Sequence, residues 1–589
     1  MDRSAREIKA SAFHQRGCLA AQKNQWAAAL PLFRGAVMLD PEIASYRNSL
    51  GLALWSLGRP VEAAAALARA VELEPHDVDY QQYFGDVLLE CGRYEEAERA
   101  YRQALACNGA EEDSAPLLAR VAAALARRAH WRESRRYWTR ALAQEPGNLL
   151  YLNNLAGAWF VAGAFAKSQR LYRELAARPD CPAAAHSNFL FGSLFDPALS
   201  PGALFLRHQA WAARHERPIR PFPAVHRSAR RRIRVGYCSP DLRDHSVSYF
   251  LRPILLSHDR DRFEIYCYAN STRYDATTQE FASLARRWRE IPWMSDRAAA
   301  RTIRDDGIDI LVDLAGHTSG NRLPVFAYRP APVQVTYLGY AATSGMSRMD
   351  YRITDGIADP PEMRERLHSE QLWRLSPCFL CYQPPDDAPP VRVDRNPAIR
   401  FGSFAPRMKI NRRVLRLWAE VLRQVKGSEL LLKGKAYDDG ECRRSICSTF
   451  AKAGVAPERI IFQGFHASKR EHLETYAGVD ITLDTFPYNG TTTTCEALWM
   501  GSPLLTLAGR SHVARVSASI LMQAGLNEWV THSEEEYVRR AIGAAQDRPA
   551  LERLRRGLRR RLRSSPLLDA ARFTRQLEAA YRAMLQSHR

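Results

Sequence analysis

Small residues recur every 34 positions at the front of this chain, as Gly17, Gly51 and Gly85, and the series continues through Ala122 and Ala156 after three extra residues. A second series, Gly58, Gly92, Ala129 and Gly163, keeps the same step and the same shift. Trp26, Tyr94, Trp131 and Phe165 form a third, interrupted once by Pro60, and Asp40-Pro41, Glu74-Pro75 and Glu145-Pro146 close repeats. A fixed period of this length calls for stacked supersecondary units, because one unit cannot bury its apolar face alone.

Small residues where two helices cross, an aromatic after the turn and a closing proline resemble the tetratricopeptide pattern. The resemblance implies a superhelix of about five repeats over residues 10–185, followed by a helical linker region over 186–232. Such arrays bind peptides in a concave groove and carry no chemistry of their own. A protein partner held in the groove is therefore expected, and the chemistry further along the chain.

Beyond Pro218–Arg232 the texture changes to short β-branched runs alternating with helical stretches. Segments 233–238, 263–268, 308–312 and 332–337 read as strands of one parallel sheet, and 428–432, 459–462, 480–483 and 503–507 as strands of a second. The expected fold class is thus an α-superhelical array followed by two α/β Rossmann-like halves, residues 233–390 and 398–589, joined through a linker at Pro384–Pro397. Ligands of such sheets sit beyond the carboxyl ends of the strands.

Composition narrows the classes. No run of the 589 residues approaches the ~20 apolar positions of a membrane span, and the first residues lack the order of a signal peptide, so no membrane partner and a cytoplasmic address are expected. The eleven cysteines form neither a disulfide framework nor a pair of zinc-like knuckles. A net charge of +20 invites nucleic acid. Its densest run, Arg553–Arg563, interleaves arginines with Leu554, Leu558 and Leu562 at helical spacing and has no aromatic residue to stack bases. A solvated basic helix face is expected there, and nucleic acid is not an expected partner.

The sharpest local signal is Leu483-Asp-Thr-Phe-Pro-Tyr-Asn-Gly-Thr-Thr-Thr-Thr-Cys-Glu496. A strand ends, a turn follows and four threonines open a helix, whose free N–H groups, hydroxyls and positive dipole end make an anion cradle. No Walker-type loop is present, and the triplets Asp77-Val-Asp79 and Asp259-Arg-Asp261 are not placed to carry a metal-bound diphosphate. No metal and no resident cofactor are expected; helix start and lysines would neutralise the phosphates of a nucleotide-sugar donor.

Gly236-Tyr-Cys-Ser-Pro-Asp-Leu-Arg-Asp-His-Ser-Val-Ser-Tyr249, Asp313-Leu-Ala-Gly-His317, Arg329-Pro-Ala-Pro-Val-Gln-Val335, Gly339-Tyr-Ala-Ala-Thr-Ser-Gly345 and the Asp484–Glu496 segment together resemble the O-GlcNAc transferase/Spindly family of protein glycosyltransferases, glycosyltransferase family 41. The resemblance implies a GT-B fold and an inverting transfer of GlcNAc from UDP-GlcNAc to Ser or Thr hydroxyls. It implies catalytic roles for His245, Asp313 and His317 at the sugar end, and for Lys409 against the leaving diphosphate. It further implies that Lys469 and His472 lie around the base, that Thr491, Thr492 and Thr493 hold phosphate, and that Glu496 holds the ribose hydroxyls.

Several positions depart from the family's wording. Ala405-Pro406 replaces a polar pair before Lys409, Tyr249 and Thr491 stand where animal members have His, and Glu496 stands where they have Asp. The donor is open between UDP-GlcNAc and GDP-fucose, and the proton acceptor between Asp313, His245 and the donor's phosphate. A rival reading is a repeat scaffold with a decayed transferase half.

Overall fold

The structure, a computed structural model, describes residues 3–108, 114–224, 232–363, 367–394 and 397–588. Its first body is a run of antiparallel helix pairs: Arg3–Gln22 with Trp26–Leu39, Ala44–Ser56 with Pro60–Leu73, Val78–Glu90 with Tyr94–Cys107, and Ala115–Arg127 with Trp131–Gln144. Both 34-residue series now have a physical cause. A Cβ on Gly17 would stand 2.6 Å from the ring of Phe33, one on Gly51 2.5 Å from Leu67, and one on Gly85 2.5 Å from Tyr101, so the paired helices cross on hydrogen atoms. The second series supplies the left-handed residue between paired helices, with φ of +71° at Gly58, +77° at Gly92 and +64° at Ala129. It reaches back to Asn24 at φ +59°, which a search for small residues passes over.

The first body ends at Trp159, inside the helix Leu149–Val161. The helix Phe165–Ala177, expected as part of a fifth repeat, falls in the second body and packs on Ala183–Ser193.

That second body holds two parallel sheets. The first comprises β1 (Ile233–Ser239), β2 (Phe263–Ala269), β3 (Arg287–Glu290), β4 (Ile310–Asp313), β5 (Val333–Thr336), β6 (Tyr351–Asp355) and β7 (Gln371–Leu375), in the order β3-β2-β1-β4-β5-β6-β7. The second comprises β8 (Arg400–Ser403), β9 (Glu429–Lys433), β10 (Ile460–Gln463), β11 (Ile481–Leu483), β12 (Leu504–Leu507) and β13 (Val530–Thr531), in the order β10-β9-β8-β11-β12-β13. Direction of winding reverses between β1 and β4 and between β8 and β11, which places a ligand crevice beyond those carboxyl ends.

Strands β3, β6, β7, β8 and β13 escape the pattern reading. The edge strand β3 reads Arg-Trp-Arg-Glu, too charged for a β signature. In β6 the terminal nitrogens of the buried Arg352 donate to the carbonyls of Ala342 and Tyr340, at 2.6 and 3.0 Å. In β8, Gly402 is required because its Cβ would lie 2.8 Å from Val479.

The basic run forms the helix Arg548–Arg563, which buries Leu558 and Leu562 as their spacing predicts, together with Leu551, and leaves Leu554 half-buried. One arginine corrects the expected solvated face: Arg555 is enclosed, with its guanidinium 2.7 Å from Asp480 and 2.8 Å from the Ala477 carbonyl. Among the described residues no helix is long and apolar enough to cross a membrane.

Candidate active site

The carboxyl end of β11 runs into Asp484, a buried carboxylate that accepts the N–H groups of Thr485 and Gly490, each at 2.9 Å, and the hydroxyl of Thr506 at 2.7 Å. Burial raises its pKa against those bonds. The closed turn delivers the chain into the helix Thr492–Trp499, with Thr491 at its N-cap and no side-chain cap on its first N–H groups. Gly490 has no substitute here, since a Cβ would lie 2.5 Å from the Thr494 hydroxyl. The four threonines divide: Thr494 turns inward to Ser517 Oγ at 2.9 Å, whereas Thr491, Thr492 and Thr493 remain part-exposed around a helix start whose orphan donors suit an anion.

Lys409 follows β8 on the short turn Arg407–Lys409, directly after Ala405-Pro406. Its ammonium donates to the Asn489 carbonyl at 2.7 Å and lies 4.1 Å above the ring of Tyr488, which itself stacks on Phe195 at 4.5 Å. Burial pushes the Lys409 pKa down to about 8, with the nearby Asp484 acting in the opposite direction. A cation poorly solvated in this way gains from an incoming phosphate.

One helical turn beyond the threonines, the buried Glu496 receives the ammonium of Lys469, His472 Nε2 at 3.1 Å and the Tyr476 hydroxyl at 3.5 Å. Burial alone would raise its pKa; the His472 hydrogen bond and the Lys469 charge outweigh it and hold the carboxylate below its usual range. Phe404 stacks on Tyr476 at 3.7 Å and walls the site. Lys469 also lies 4.9 Å over the ring of Tyr249. The residues expected around phosphate, ribose and base thus come together at the carboxyl ends of β8, β10 and β11.

His245, in the loop after β1, is part-exposed, with Nδ1 accepting the Val247 N–H at 3.3 Å and lying 3.7 Å from Asp241. Burial lowers its pKa while the Asp241 charge opposes the shift. Tyr249, four residues on, reaches Lys469 and so sets this loop facing the nucleotide side.

Asp313 and His317 lie deeper in the fold. Asp313 is fully enclosed at the end of β4, where it accepts the N–H groups of Ala315 and Gly316 and the Thr336 hydroxyl at 2.8 Å. His317 is equally enclosed: its Nδ1 meets Ser187 Oγ at 2.9 Å, its Nε2 meets the Ser344 carbonyl at 2.8 Å, and Trp211 packs edge-on at 4.8 Å. Their hydrogen bonds shape the loop that follows β4. Tyr488, Asn489, Phe404 and Tyr476 were not anticipated. The aromatics stood inside quoted or neighbouring motifs, but Asn489 acts through its backbone carbonyl, which leaves no trace in residue type.

Comparison with known proteins fits this geometry. The profile of glycosyl transferase family 41 matches residues 209–383 and 394–577, and tetratricopeptide-repeat profiles match 14–78 and 54–121. A protein of Oryza sativa subsp. japonica named as a probable UDP-N-acetylglucosamine–peptide N-acetylglucosaminyltransferase, SPINDLY, is 40% identical over 390 residues, covering 65% of this chain and 42% of its own length. The Arabidopsis thaliana protein SEC, named likewise, is 32% identical over 373 residues, covering 61% of this chain and 38% of its own. The chain spans about two fifths of the length of these relatives. A solved Thermobaculum terrenum O-GlcNAc transferase mutant aligns over 100% of this chain and 99% of its own, at 32% identity and a TM-score of 0.67.

Proposed function

The chain belongs to glycosyl transferase family 41, and from that membership and the site we propose that it moves GlcNAc from UDP-GlcNAc to Ser or Thr hydroxyls of proteins, with inversion and without a metal. The observation that carries this reading is the pairing of Lys409, held at 2.7 Å by the Asn489 carbonyl, with the uncapped helix start at Thr491, Thr492 and Thr493. Together they form a diphosphate site one turn from a buried carboxylate able to take ribose hydroxyls. Names of the relatives support GlcNAc as the sugar.

In the proposed reaction an acceptor oxygen bonds to the anomeric carbon from the face opposite the diphosphate, and the bond from that carbon to the phosphate oxygen breaks. Lys409 and the helix N–H groups stabilise the charge arriving on the departing phosphate. His245, Asp313 and the donor's own phosphate are the candidates to receive the hydroxyl proton. Lys469, His472 and Glu496 orient the nucleoside, and the tetratricopeptide array recruits the acceptor polypeptide.

Nucleotide release from UDP-GlcNAc, GDP-fucose and other sugar donors, measured on the purified chain with and without EDTA, tests the proposal. Release from UDP-GlcNAc that survives EDTA is expected. Preference for GDP-fucose would change the sugar, and loss of turnover restored by added Mg²⁺ or Mn²⁺ would overturn the metal-free mechanism.

A further inference from the structure

Lys409 is braced from outside both Rossmann-like halves. The helical segment between Phe160 and Phe195, in the same body as the two sheets, meets the turn that carries this lysine at two separate points.

The first contact runs through rings. Phe195, just beyond the helix Ala183–Ser193 and itself buried, stacks on Tyr488 with centroids 4.5 Å apart and planes inclined at 23°. Phe191 meets the same ring edge-on at 6.3 Å, and Phe160 braces Phe195 edge-on at 4.9 Å. Gly192 permits the cluster, since a Cβ there would lie 2.4 Å from the Gln169 amide nitrogen on the neighbouring helix. The backbone of Tyr488 is already tied, because its carbonyl accepts the Thr485 hydroxyl at 2.7 Å. What remains to be set is the direction of its ring, and the phenylalanines set it. That ring lies 4.1 Å beneath the Lys409 ammonium, and the next residue supplies the carbonyl that holds the ammonium at 2.7 Å.

The second contact runs through the first residue of the turn. Gly163, at φ +75° between the helices Leu149–Val161 and Phe165–Ala177, comes so close that a Cβ would stand 2.5 Å from the Arg407 guanidinium carbon. Arg407 in turn donates to the Ile410 carbonyl at 2.5 Å and closes the turn Arg407–Lys409. Ala405-Pro406, directly before it, has no side-chain donor or acceptor to steady the lysine. The support therefore comes from the helical segment. Phe160, Phe191 and Phe195 bring no charge; among the described residues the charge that acts on the ammonium is that of Asp484, and burial pushes the Tyr488 phenol up to about 12, so it stays neutral.

On the protein-glycosyltransferase reading and its role for Lys409, we propose that Phe195 and Gly163 are positioning residues for the transfer: the helical segment sets where Lys409 meets the departing phosphate, Phe195 through Tyr488 and Gly163 through Arg407.

The test uses the full chain and its Phe195→Leu, Phe195→Tyr and Gly163→Ala variants, with hydrolysis of UDP-GlcNAc followed across pH and thermal scans confirming the fold. Phe195→Leu keeps an apolar side chain and removes the stack. It should lower kcat about tenfold, a part of the ~10² that a misplacement of about 1 Å can cost, with donor KM changed less than about twofold. The alkaline limb of kcat/KM should also move up from about 8, because a displaced ammonium gains water. Phe195→Tyr, which keeps a ring to stack, should restore both readings, and Gly163→Ala should lower kcat from the other side. Wild-type kcat and limb in a folded Phe195→Leu protein overturn the inference. So do equal losses in the Leu and Tyr variants, or a limb that stays in place while kcat falls, since either marks packing alone. Should Phe195→Leu fail to fold, Gly163→Ala decides, and wild-type kcat there overturns the inference. A wild type that releases nucleotide from no sugar donor overturns the functional reading instead.

Discussion

The ammonium of Lys409 is held by the backbone carbonyl of Asn489 at 2.7 Å, a bond that joins the end of β8 to the turn opening the threonine helix. The cation and the helix start are thereby fixed before any donor arrives. Preorganisation of this kind removes the cost of assembling the charge at the moment of reaction.

Lys409 should set an alkaline limit. Its folded pKa, lowered to about 8, means that the free enzyme loses this charge at a pH where an ordinary lysine keeps it. Donor kcat/KM is expected to fall above that pH, and the limb of kcat to lie higher, because a bound diphosphate favours the protonated amine. Lys409→Arg should move the kcat/KM limb beyond the accessible range even if turnover drops. A profile of the wild type that stays flat to strongly alkaline pH would refute this.

Glu496→Gln removes the charge that Lys469 and His472 share. The folded carboxylate titrates below its unfolded value, so its contribution to stability is complete above the unfolded pKa and is lost as pH falls through the folded one. At neutral pH the substitution should cost about 1–3 kcal/mol, the lower part of the range being favoured by the partial exposure of Lys469. Nucleoside-diphosphate affinity should weaken as well. Denaturant midpoints and a binding titration would check both; an unaltered affinity would remove Glu496 from the ribose role.

Acid should loosen the junction between the helices Ala183–Ser193 and Pro201–His215 and the first sheet. Burial pushes His186, His208 and His215 down to about 4 and holds His317 well below its ordinary value. These folded values lie below the unfolded 6.5, so as pH falls from about 6.5 to about 4 the unfolded chain binds protons first and stability is lost across that window. The thermal midpoint is expected to drop between pH 7 and pH 5, less so in His208→Asn. A midpoint independent of pH over that interval would contradict the assignment.

Gly85→Ala should destabilise the repeat array by about 1–3 kcal/mol through overpacking, because the added methyl meets Tyr101. Tyr101 cannot easily yield: it is fully buried, and its hydroxyl donates to Asp86 at 2.7 Å. Donor hydrolysis by the folded protein should be unchanged. A thermal scan showing no loss in the first transition would mean the helices separate freely at this crossing.

Repeats and anion cradle were legible because each rests on residue type at fixed spacing: a missing Cβ at Gly17, Gly51 and Gly85, hydroxyls at Thr491, Thr492 and Thr493. What sequence pattern could not supply came from distant packing. Ser187 covers His317 from 130 residues away, an enclosure that residue type does not reveal. Arg555 lies in the middle of a basic run, yet the helix buries it against Asp480. β8 was missed because its only helical or strand-like signal is Phe401 between Arg400 and a glycine whose smallness serves Val479.

The central claim is tested most directly by incubating the full chain and its Lys409→Met variant with UDP-GlcNAc and polypeptide acceptors, and following UDP release together with mass mapping of modified Ser and Thr. The wild type is predicted to transfer GlcNAc to hydroxyls. The variant should lose about 10²–10³ in turnover, equivalent to roughly 2–4 kcal/mol of transition-state stabilisation, with a thermal midpoint no lower than the wild type's, since a desolvated cation has been removed. Equal turnover by a folded Lys409→Met protein, or a folded wild type that releases nucleotide from no sugar donor, would contradict the account.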